Sequence, residues 1–220
     1  MNLMVKIYLV RHAEAQGNVL EFFQGHIDTD VSEKGRKQLE CLSERFKDIP
    51  IEEVYTSPLR RARATAEAVN KYHRLPLTIA PDIIEINGGE WEGVKWAELP
   101  EKFPREYGLW TKSINEFAAP GGETTLQVYN RMKLAMRRIA AENQGKTIAV
   151  VSHGMAIKAY LNYADGREWA NYADPGWADN TAVSLIEYDD ELVPRILFKN
   201  DSAHLSEGLS TLAVSKWCKK

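Results

Sequence analysis

The chain has 220 residues and a mass of 25.0 kDa, which fits one large domain with an inserted segment at a typical size of about 150 residues per domain. Hydrophobic residues make up 44% and charged residues 27%, a globular composition that excludes disordered and fibrous classes. The 28 Lys and Arg residues against 31 Asp and Glu residues give a net charge of −3, which argues against nucleic acid or an anionic membrane as a partner.

The first part of the chain predicts one buried strand followed by two helices. Residues 5–10 are almost all apolar, which is typical of a strand buried on both faces. Ser32 is a suitable N-cap for a helix that runs to Phe46. Ser57 and Pro58 predict the start of a second helix, because proline suits the first helical position. The residues expected to face inward are Leu39, Leu42, Phe46, Ala62, Ala66 and Val69.

Strands and helices alternate again in the second half. The predicted elements are a helix from Thr124 or Thr125 to Gly145 with Leu126 on its apolar face, a strand at 148–151, a helix at 154–163, and strands at 182–188 and 195–199. Alternation of this kind predicts an α/β fold: a three-layer αβα sandwich whose central sheet is mostly parallel and carries helices on both faces.

Residues 86–122 break this alternation. The segment is rich in glycine, proline and aromatic residues, and we interpret it as a partly helical insertion that covers the edge of the sheet and the site predicted there, within a single domain of residues 1–220. We expect its aromatic side chains to form a small hydrophobic core within the insertion. Some of them are also expected to line a pocket. They are Trp91, Trp96, Phe103, Tyr107, Trp110 and Phe117.

Two histidines follow the predicted central strands. His12 comes after the first strand and His153 after the strand at 148–151. Because ligands bind at the carboxyl ends of parallel strands, the two imidazoles are expected to converge on one site. A zinc site built from His12, Glu85 and His153 is not expected, because no pair of them has the short spacing of metal ligands.

Arginines lie beside both parts of this predicted site. Arg11 adjoins His12, and the second helix carries Arg60, Arg61 and Arg63 in its first turns. The planar, permanently charged guanidinium suits a phosphoryl group, which it binds with two hydrogen bonds. The residues therefore predict a phosphoryl-transfer site without a metal or other cofactor.

Six motifs occur in order along the chain: RHAEAQGN, FQGHIDTDVSEKG, TSPLRRARATA, EINGGEWEG, PGGET and VVSHG. Together they resemble the histidine phosphatase superfamily, the phosphoglycerate-mutase-like fold, from Lys6 to about Asn180. The resemblance implies that His12 is the nucleophile, that Arg11 binds phosphate and that His153 is the second histidine of the site.

The resemblance also implies roles for the other motif residues. Glu85 matches the proton donor. The binding arginine of the family directly precedes alanine, which selects Arg61 over Arg60 and Arg63. The residues placed at the substrate are Asn18, Gln24, Gly25 and Gly154. Ala15 departs from the family pattern, since a serine or threonine hydroxyl is more usual there and would stand at the rim of the pocket.

These roles agree with the chemistry of the side chains. A neutral imidazole is a competent nucleophile toward phosphorus, and a phosphohistidine divides one displacement into two easier ones. Arg11 and Arg61 disfavour an imidazolium at His12. Glu85 would protonate the leaving alcohol and then accept a proton from the attacking water.

Three functions remain open on this pattern. The favoured one is a metal-independent phosphomonoesterase that acts on a small phosphorylated metabolite. The first alternative is a bisphosphoglycerate-dependent phosphoglycerate mutase; the segment after Glu85 is short and acidic, whereas mutases resemble one another in a longer, basic region. The second alternative is an inactive phosphoester-binding module, which would be expected to lack His12, Glu85 or an arginine.

The remaining features concern location and partners. Cys41 and Cys218 lack the spacing of a disulfide framework or metal-binding finger, and the N-terminal apolar run, interrupted by Lys6, predicts a strand rather than a signal peptide. No stretch approaches about 18 consecutive apolar residues. We expect a cytoplasmic protein that binds a small phosphate ester and neither nucleic acid nor a membrane. A homodimer is expected only because dimers are the commonest oligomer.

Overall fold

A computed structural model describes residues 4–212, and Cys218 lies outside this range. The described chain forms one six-stranded sheet in the order β3-β2-β4-β1-β5-β6. Strands β3, β2, β4 and β1 are parallel, and β5 runs antiparallel to both β1 and β6. The strands are β1 (Val5–Arg11), β2 (Glu53–Thr56), β3 (Leu77–Ile79), β4 (Thr147–Ser152), β5 (Val183–Tyr188) and β6 (Pro194–Asp201).

Helices cover both faces of the sheet. The α-helices are α1 (Gln16–Val19), α2 (Glu33–Phe46), α3 (Arg60–Val69), α4 (Leu99–Lys102), α5 (Pro104–Lys112), α6 (Thr125–Glu142) and α7 (Gly154–Ala164). Successive β1 side chains point to opposite faces, as the strand period requires. Ile7 and Leu9 pack with α6 and α7, whereas Val10 packs with α2 and α3. This mixed sheet between two helical layers confirms the predicted α/β sandwich.

Two of the predicted helix starts are confirmed by their caps. Ser32 Oγ accepts a hydrogen bond of 2.9 Å from the backbone N–H of Gly35 at the start of α2. At the start of α6, Thr124 Oγ1 accepts from Gln127 N, and Gln127 Oε1 accepts from Thr124 N. These reciprocal bonds satisfy backbone donors that the first helical turn leaves unpaired.

Several predicted boundaries and faces were wrong. Helix α3 begins at Arg60 rather than at Ser57 and Pro58, because Ser57 still follows the sheet: its N–H donates to Val151 O of β4. Strands β2 and β3 were not predicted. Leu126 is 47% exposed on α6, and Leu39 is only half-buried because its neighbour Gln38 takes the buried position on α2.

The segment 86–122 is partly helical, as predicted, and contains α4 and α5. Its aromatic side chains do not form a separate core. Trp91 is fully buried against Phe23, with ring centroids 5.4 Å apart, and belongs to the same hydrophobic cluster as α6 and α7. Since Phe23 lies near the start of the chain, the insertion shares the main core rather than packing on itself.

Candidate active site

An open cavity lies at the carboxyl ends of β1 and β4. The parallel register pairs Arg11 with Ser152, and the next N–H, that of His12, donates to Ser152 O. His12 and His153 are therefore adjacent, with ring centroids 5.1 Å apart. The other predicted site residues that line the cavity together with His12 are Arg11, Asn18, Gln24, Gly25, Arg61, Glu85 and Gly154.

Hydrogen bonding selects one nitrogen of His12 for chemistry. Its Nδ1 lies 2.7 Å from the carbonyl oxygen of Ala13, and since a carbonyl only accepts, Nδ1 carries the hydrogen. Nε2 is then the nitrogen with the free lone pair. Burial lowers the pKa of His12 well below its usual value, and the positive charges of Arg61 and Arg11 lower it further. The imidazole is therefore neutral and nucleophilic.

His153 is oriented by Ser57, a residue that the sequence did not place in the site. Its Nε2 lies 2.7 Å from Ser57 Oγ, and that hydroxyl also accepts a long bond of 3.5 Å from Leu59 N. When the hydroxyl donates to Nε2, the hydrogen of His153 lies on Nδ1. Among residues 4–212, this buried Nδ1 has no hydrogen-bond partner. Burial and then the charge of Arg61 lower the pKa of His153 well below its usual value.

The two predicted phosphate-binding arginines are held by backbone carbonyls. Arg61 donates from Nη1 to Ile27 O at 2.7 Å and from Nη2 to Gly25 O at 2.8 Å, and Arg11 donates to Ala178 O. Burial lowers the pKa of Arg61 to about 10, so the group stays protonated at neutral pH. Two fixed cations therefore stand beside His12.

The neighbouring Arg60 has a different environment. Its side chain is 54% exposed and forms surface ion pairs with Asp28 and Asp30. In the family motif the binding arginine directly precedes alanine. That pattern and the structure agree that Arg61, rather than Arg60, reaches the cavity.

The loop of Gln24 and Gly25 requires its glycine. Gly25 has a φ of +49°, and a Cβ there would lie 2.2 Å from Glu92 Oε1. The same carboxylate oxygen accepts from His26 N and Gly88 N, which ties this loop to the insertion.

Position 15 does not stand at the rim as expected. Ala15 is fully buried and precedes helix α1 as its N-cap, so a hydroxyl there would cap the helix rather than face substrate. The amide side chain of Asn18 already bonds this turn, since its Oδ1 accepts from Ala15 N at 2.9 Å.

Hydrogen bonds fix both the side chain and the backbone carbonyl of Glu85. Its carboxylate accepts from the N–H groups of Met155 and Ala156, in the first turn of α7, and from its neighbour Ile86. These three donors fix the position of the carboxyl group where Glu85 lines the cavity.

The carbonyl of Glu85 accepts from Arg131 Nη2 at 2.9 Å and from His26 Nε2 at 2.8 Å, and Arg131 is itself paired with Glu123. Neither Arg131 nor His26 was predicted to support the site.

The segment before β5 binds the backbone of Arg11 and His12. Asn180 Nδ2 donates to His12 O at 2.9 Å, and the N–H of Thr181 donates to Arg11 O. His204 bridges Arg45 and Thr181, and burial, followed by the charge of Arg45, lowers its pKa to about 4.

Comparison with known proteins places these features in a family. The family model of the histidine phosphatase superfamily, branch 1, matches residues 7–202. The chain belongs to the histidine phosphatase superfamily. It is an enzyme of the phosphatase type, as the resemblance of its motifs implied.

Two relatives and one solved structure are similar to this histidine phosphatase over most of its length. It is 33% identical to phosphoserine phosphatase 1 of Hydrogenobacter thermophilus over 93% of this chain and 96% of the relative. It is 36% identical to a metal-independent phosphoserine phosphatase of Arabidopsis thaliana, over 86% of this chain and 78% of the relative. The solved structure of Bacillus stearothermophilus YhfR superposes with a TM-score of 0.86 at 27% identity, covering 92% of this chain and 100% of that one.

Two kinds of feature are absent from residues 4–212 of the phosphatase. No helix in this range is both long and apolar enough to cross a membrane. No group of three or more His, Cys, Asp or Glu side chains in the range is arranged to hold a metal ion.

Removing the Ser57 hydroxyl of this histidine phosphatase is expected to lower kcat/KM about tenfold, because a loss of that size corresponds roughly to the free energy of one hydrogen bond. Without the hydroxyl, His153 is no longer held as one tautomer. The Ser57→Ala and Ser57→Thr variants should be compared by kcat/KM and by the ¹⁵N shifts of His153. Threonine keeps the hydroxyl and should retain the Nδ1–H tautomer. An unchanged tautomer in Ser57→Ala would contradict this role.

Acid is expected to destabilise the fold through its buried histidines. The pKa values of His12 and His153 are lowered in the folded state, so the unfolded chain binds protons first as pH falls below about 6.5. Their stabilising contribution is complete above that pH and decreases below it by about 1.4 kcal/mol per pH unit for each histidine. Urea unfolding at pH 7.5, 6 and 5 measures the slope, and a flat profile would contradict it.

Proposed function

We propose that this histidine phosphatase hydrolyses a small phosphate monoester in two displacements at His12. The observation that carries the proposal is a neutral His12 whose Nε2 bears the lone pair, set beside His153 and within the electrostatic influence of the buried guanidinium groups of Arg11 and Arg61. A phosphoryl group needs a nucleophile and fixed positive charge around its oxygens, and this arrangement supplies both.

The first displacement transfers the phosphoryl group to the enzyme. His12 Nε2 attacks phosphorus as the bond to the leaving oxygen breaks, while the Nδ1–H of His12 remains hydrogen-bonded to Ala13 O. Arg11, Arg61 and the Nδ1–H of His153 bind the phosphoryl oxygens. Glu85, in its acid form, donates its proton to the leaving oxygen, so the product is a neutral alcohol.

The second displacement releases orthophosphate. Glu85, now a carboxylate, accepts a proton from water, the water oxygen bonds to phosphorus, and the bond from phosphorus to His12 Nε2 breaks. The histidine returns to its starting form. In this proposal Asn18, Gln24, Gly25 and Gly154 hold the substrate, and the segment 86–122 covers it as part of a single domain.

The proposal is tested by measuring orthophosphate release from a panel of phosphate esters, with and without added bisphosphoglycerate. Phosphoserine belongs in the panel because two relatives are named for it. We expect release that does not require bisphosphoglycerate. Interconversion of phosphoglycerates that depends on bisphosphoglycerate would favour the mutase, and binding without release from any ester would favour an inactive module. The homodimer and the cytoplasmic location stay predictions.

A further inference from the structure

The cavity that contains His12, Arg11 and Arg61 is also lined by aromatic side chains, and a Cβ added at Gly154 would lie 3.5 Å from both Arg11 Nε and Trp177 Cζ3. We propose that this aromatic lining selects phosphate esters whose leaving group carries a ring or another broad apolar surface, in preference to esters of amino acids or hydroxy acids. The inference rests on the proposed function, because it concerns the alcohol side of the same reaction.

The side chains around the cavity divide by chemistry. Within residues 4–212, the Asp, Glu, Lys and Arg side chains that line it are Arg11, Arg61 and Glu85, all assigned to phosphoryl transfer. Large apolar side chains account for most of the remaining lining, chiefly Phe22, Trp96, Trp110, Met155 and Trp177. A leaving group that extends away from the phosphoryl site therefore meets apolar surface.

Three of these side chains form a continuous row, the tryptophan wall, made of Trp96, Trp110 and Trp177. The ring centroids of Trp96 and Trp110 are 6.0 Å apart, and those of Trp110 and Trp177 are 5.8 Å apart with planes inclined by 31°. Trp96 and Trp110 come from the insertion, whereas Trp177 comes from the segment between α7 and β5. Two distant parts of the chain thus build one apolar surface.

The tryptophan wall is fixed before substrate arrives. Trp110 is 7% exposed and packs edge-on against Phe117, with centroids 4.8 Å apart. Trp177 is backed by Lys158, whose Nζ lies 4.4 Å from the ring centroid and is itself paired with Asp174. A preformed surface binds with little loss of side-chain entropy.

This surface discriminates between two kinds of leaving group. A ring gains by removing apolar area from water. A carboxylate gains nothing on the wall, because the face of an aromatic ring is the negative end of its quadrupole and repels an anion. Arg11 and Arg61 are occupied by the phosphoryl group, and Lys158, which contacts the Trp177 ring, is already paired with Asp174 and is not among the described lining residues.

The test compares kcat/KM for three primary alkyl esters, so that the chemistry of the breaking bond stays similar. Propyl phosphate is the baseline, phenylpropyl phosphate adds a ring, and O-phosphoserine adds an ammonium and a carboxylate. We expect the ring to raise kcat/KM about tenfold over propyl phosphate through buried apolar area, and phosphoserine not to exceed propyl phosphate.

Variants connect this selectivity to the tryptophan wall. Trp177→Ala should bring the ratio of phenylpropyl to propyl phosphate close to one, and Trp177→Phe should keep most of it. Tyr72→Ala removes an exposed aromatic ring outside the cavity and should leave the ratio unchanged.

A clear preference for phosphoserine over propyl phosphate would overturn the inference while leaving the phosphatase intact. An unchanged ratio in Trp177→Ala would overturn the assignment to the wall. Failure of the wild type to hydrolyse any ester would overturn the proposed function itself, and the inference with it.

Discussion

Replacement of His12 by alanine is expected to abolish the phosphoenzyme and to lower kcat by about 10⁴-fold or more, the scale of loss found when a catalytic nucleophile is removed. The reason is geometric. Nε2 of His12 is the nitrogen whose lone pair the Ala13 carbonyl leaves available, and the charges of the two buried arginines keep the ring neutral. His153 does not replace it, because its own Nε2 is engaged by Ser57.

The measurement is rapid acid-free quenching after incubation with a ³²P-labelled ester, followed by acid treatment. Label on the wild type should be lost in acid, since phosphohistidine is acid-labile, and the His12→Ala protein should carry none. His73→Ala is a matched control: this ring bonds Phe46 O, on the α2 and α3 side of the sheet, and its loss should leave labelling unchanged. Label that persists in His12→Ala would refute the nucleophile.

Much of this site could be predicted because its residues are local to strand ends. His12 and His153 each follow an apolar strand of the parallel part of the sheet, and the two strands are neighbours. Burial and two nearby cations then lower the pKa of His12, as expected for a neutral nucleophile. The assignment of Arg61 rather than Arg60 came from the family motif, and helical geometry explains it, because adjacent residues on a helix face different directions.

The supporting residues could not be predicted in the same way. Strand β2 is four residues long and gave no clear pattern, so Ser57 was interpreted as the start of a helix rather than as the end of a strand beside His153. Arg131 reaches the carbonyl of Glu85 across 46 positions of sequence, and no local pattern contains that contact. Likewise, the tryptophan wall joins residues 110 and 177, which only the tertiary fold brings together.

Replacing Glu85 with glutamine is expected to have a second large effect, one that depends on the leaving group. For alkyl phosphates, kcat/KM should fall by about 10²–10⁴-fold, the usual contribution of a general acid, because glutamine keeps the shape but cannot supply the proton. For nitrophenyl phosphate the fall should be less than about tenfold, since nitrophenolate leaves without protonation. Glu90→Gln, an exposed carboxylate in the insertion, is the matched control and should change neither value.

The same variant separates the two displacements, because kcat/KM reports steps up to the first cleavage and kcat includes hydrolysis of the phosphohistidine. Nitrophenyl phosphate should still phosphorylate His12 quickly, but without the carboxylate no base accepts the proton of the attacking water. Glu85→Gln should therefore release a burst of nitrophenol, close to one per enzyme molecule, and then turn over slowly. Equal losses on both esters with no burst would mean that Glu85 holds the substrate through its place at the first turn of α7 and does not transfer the proton.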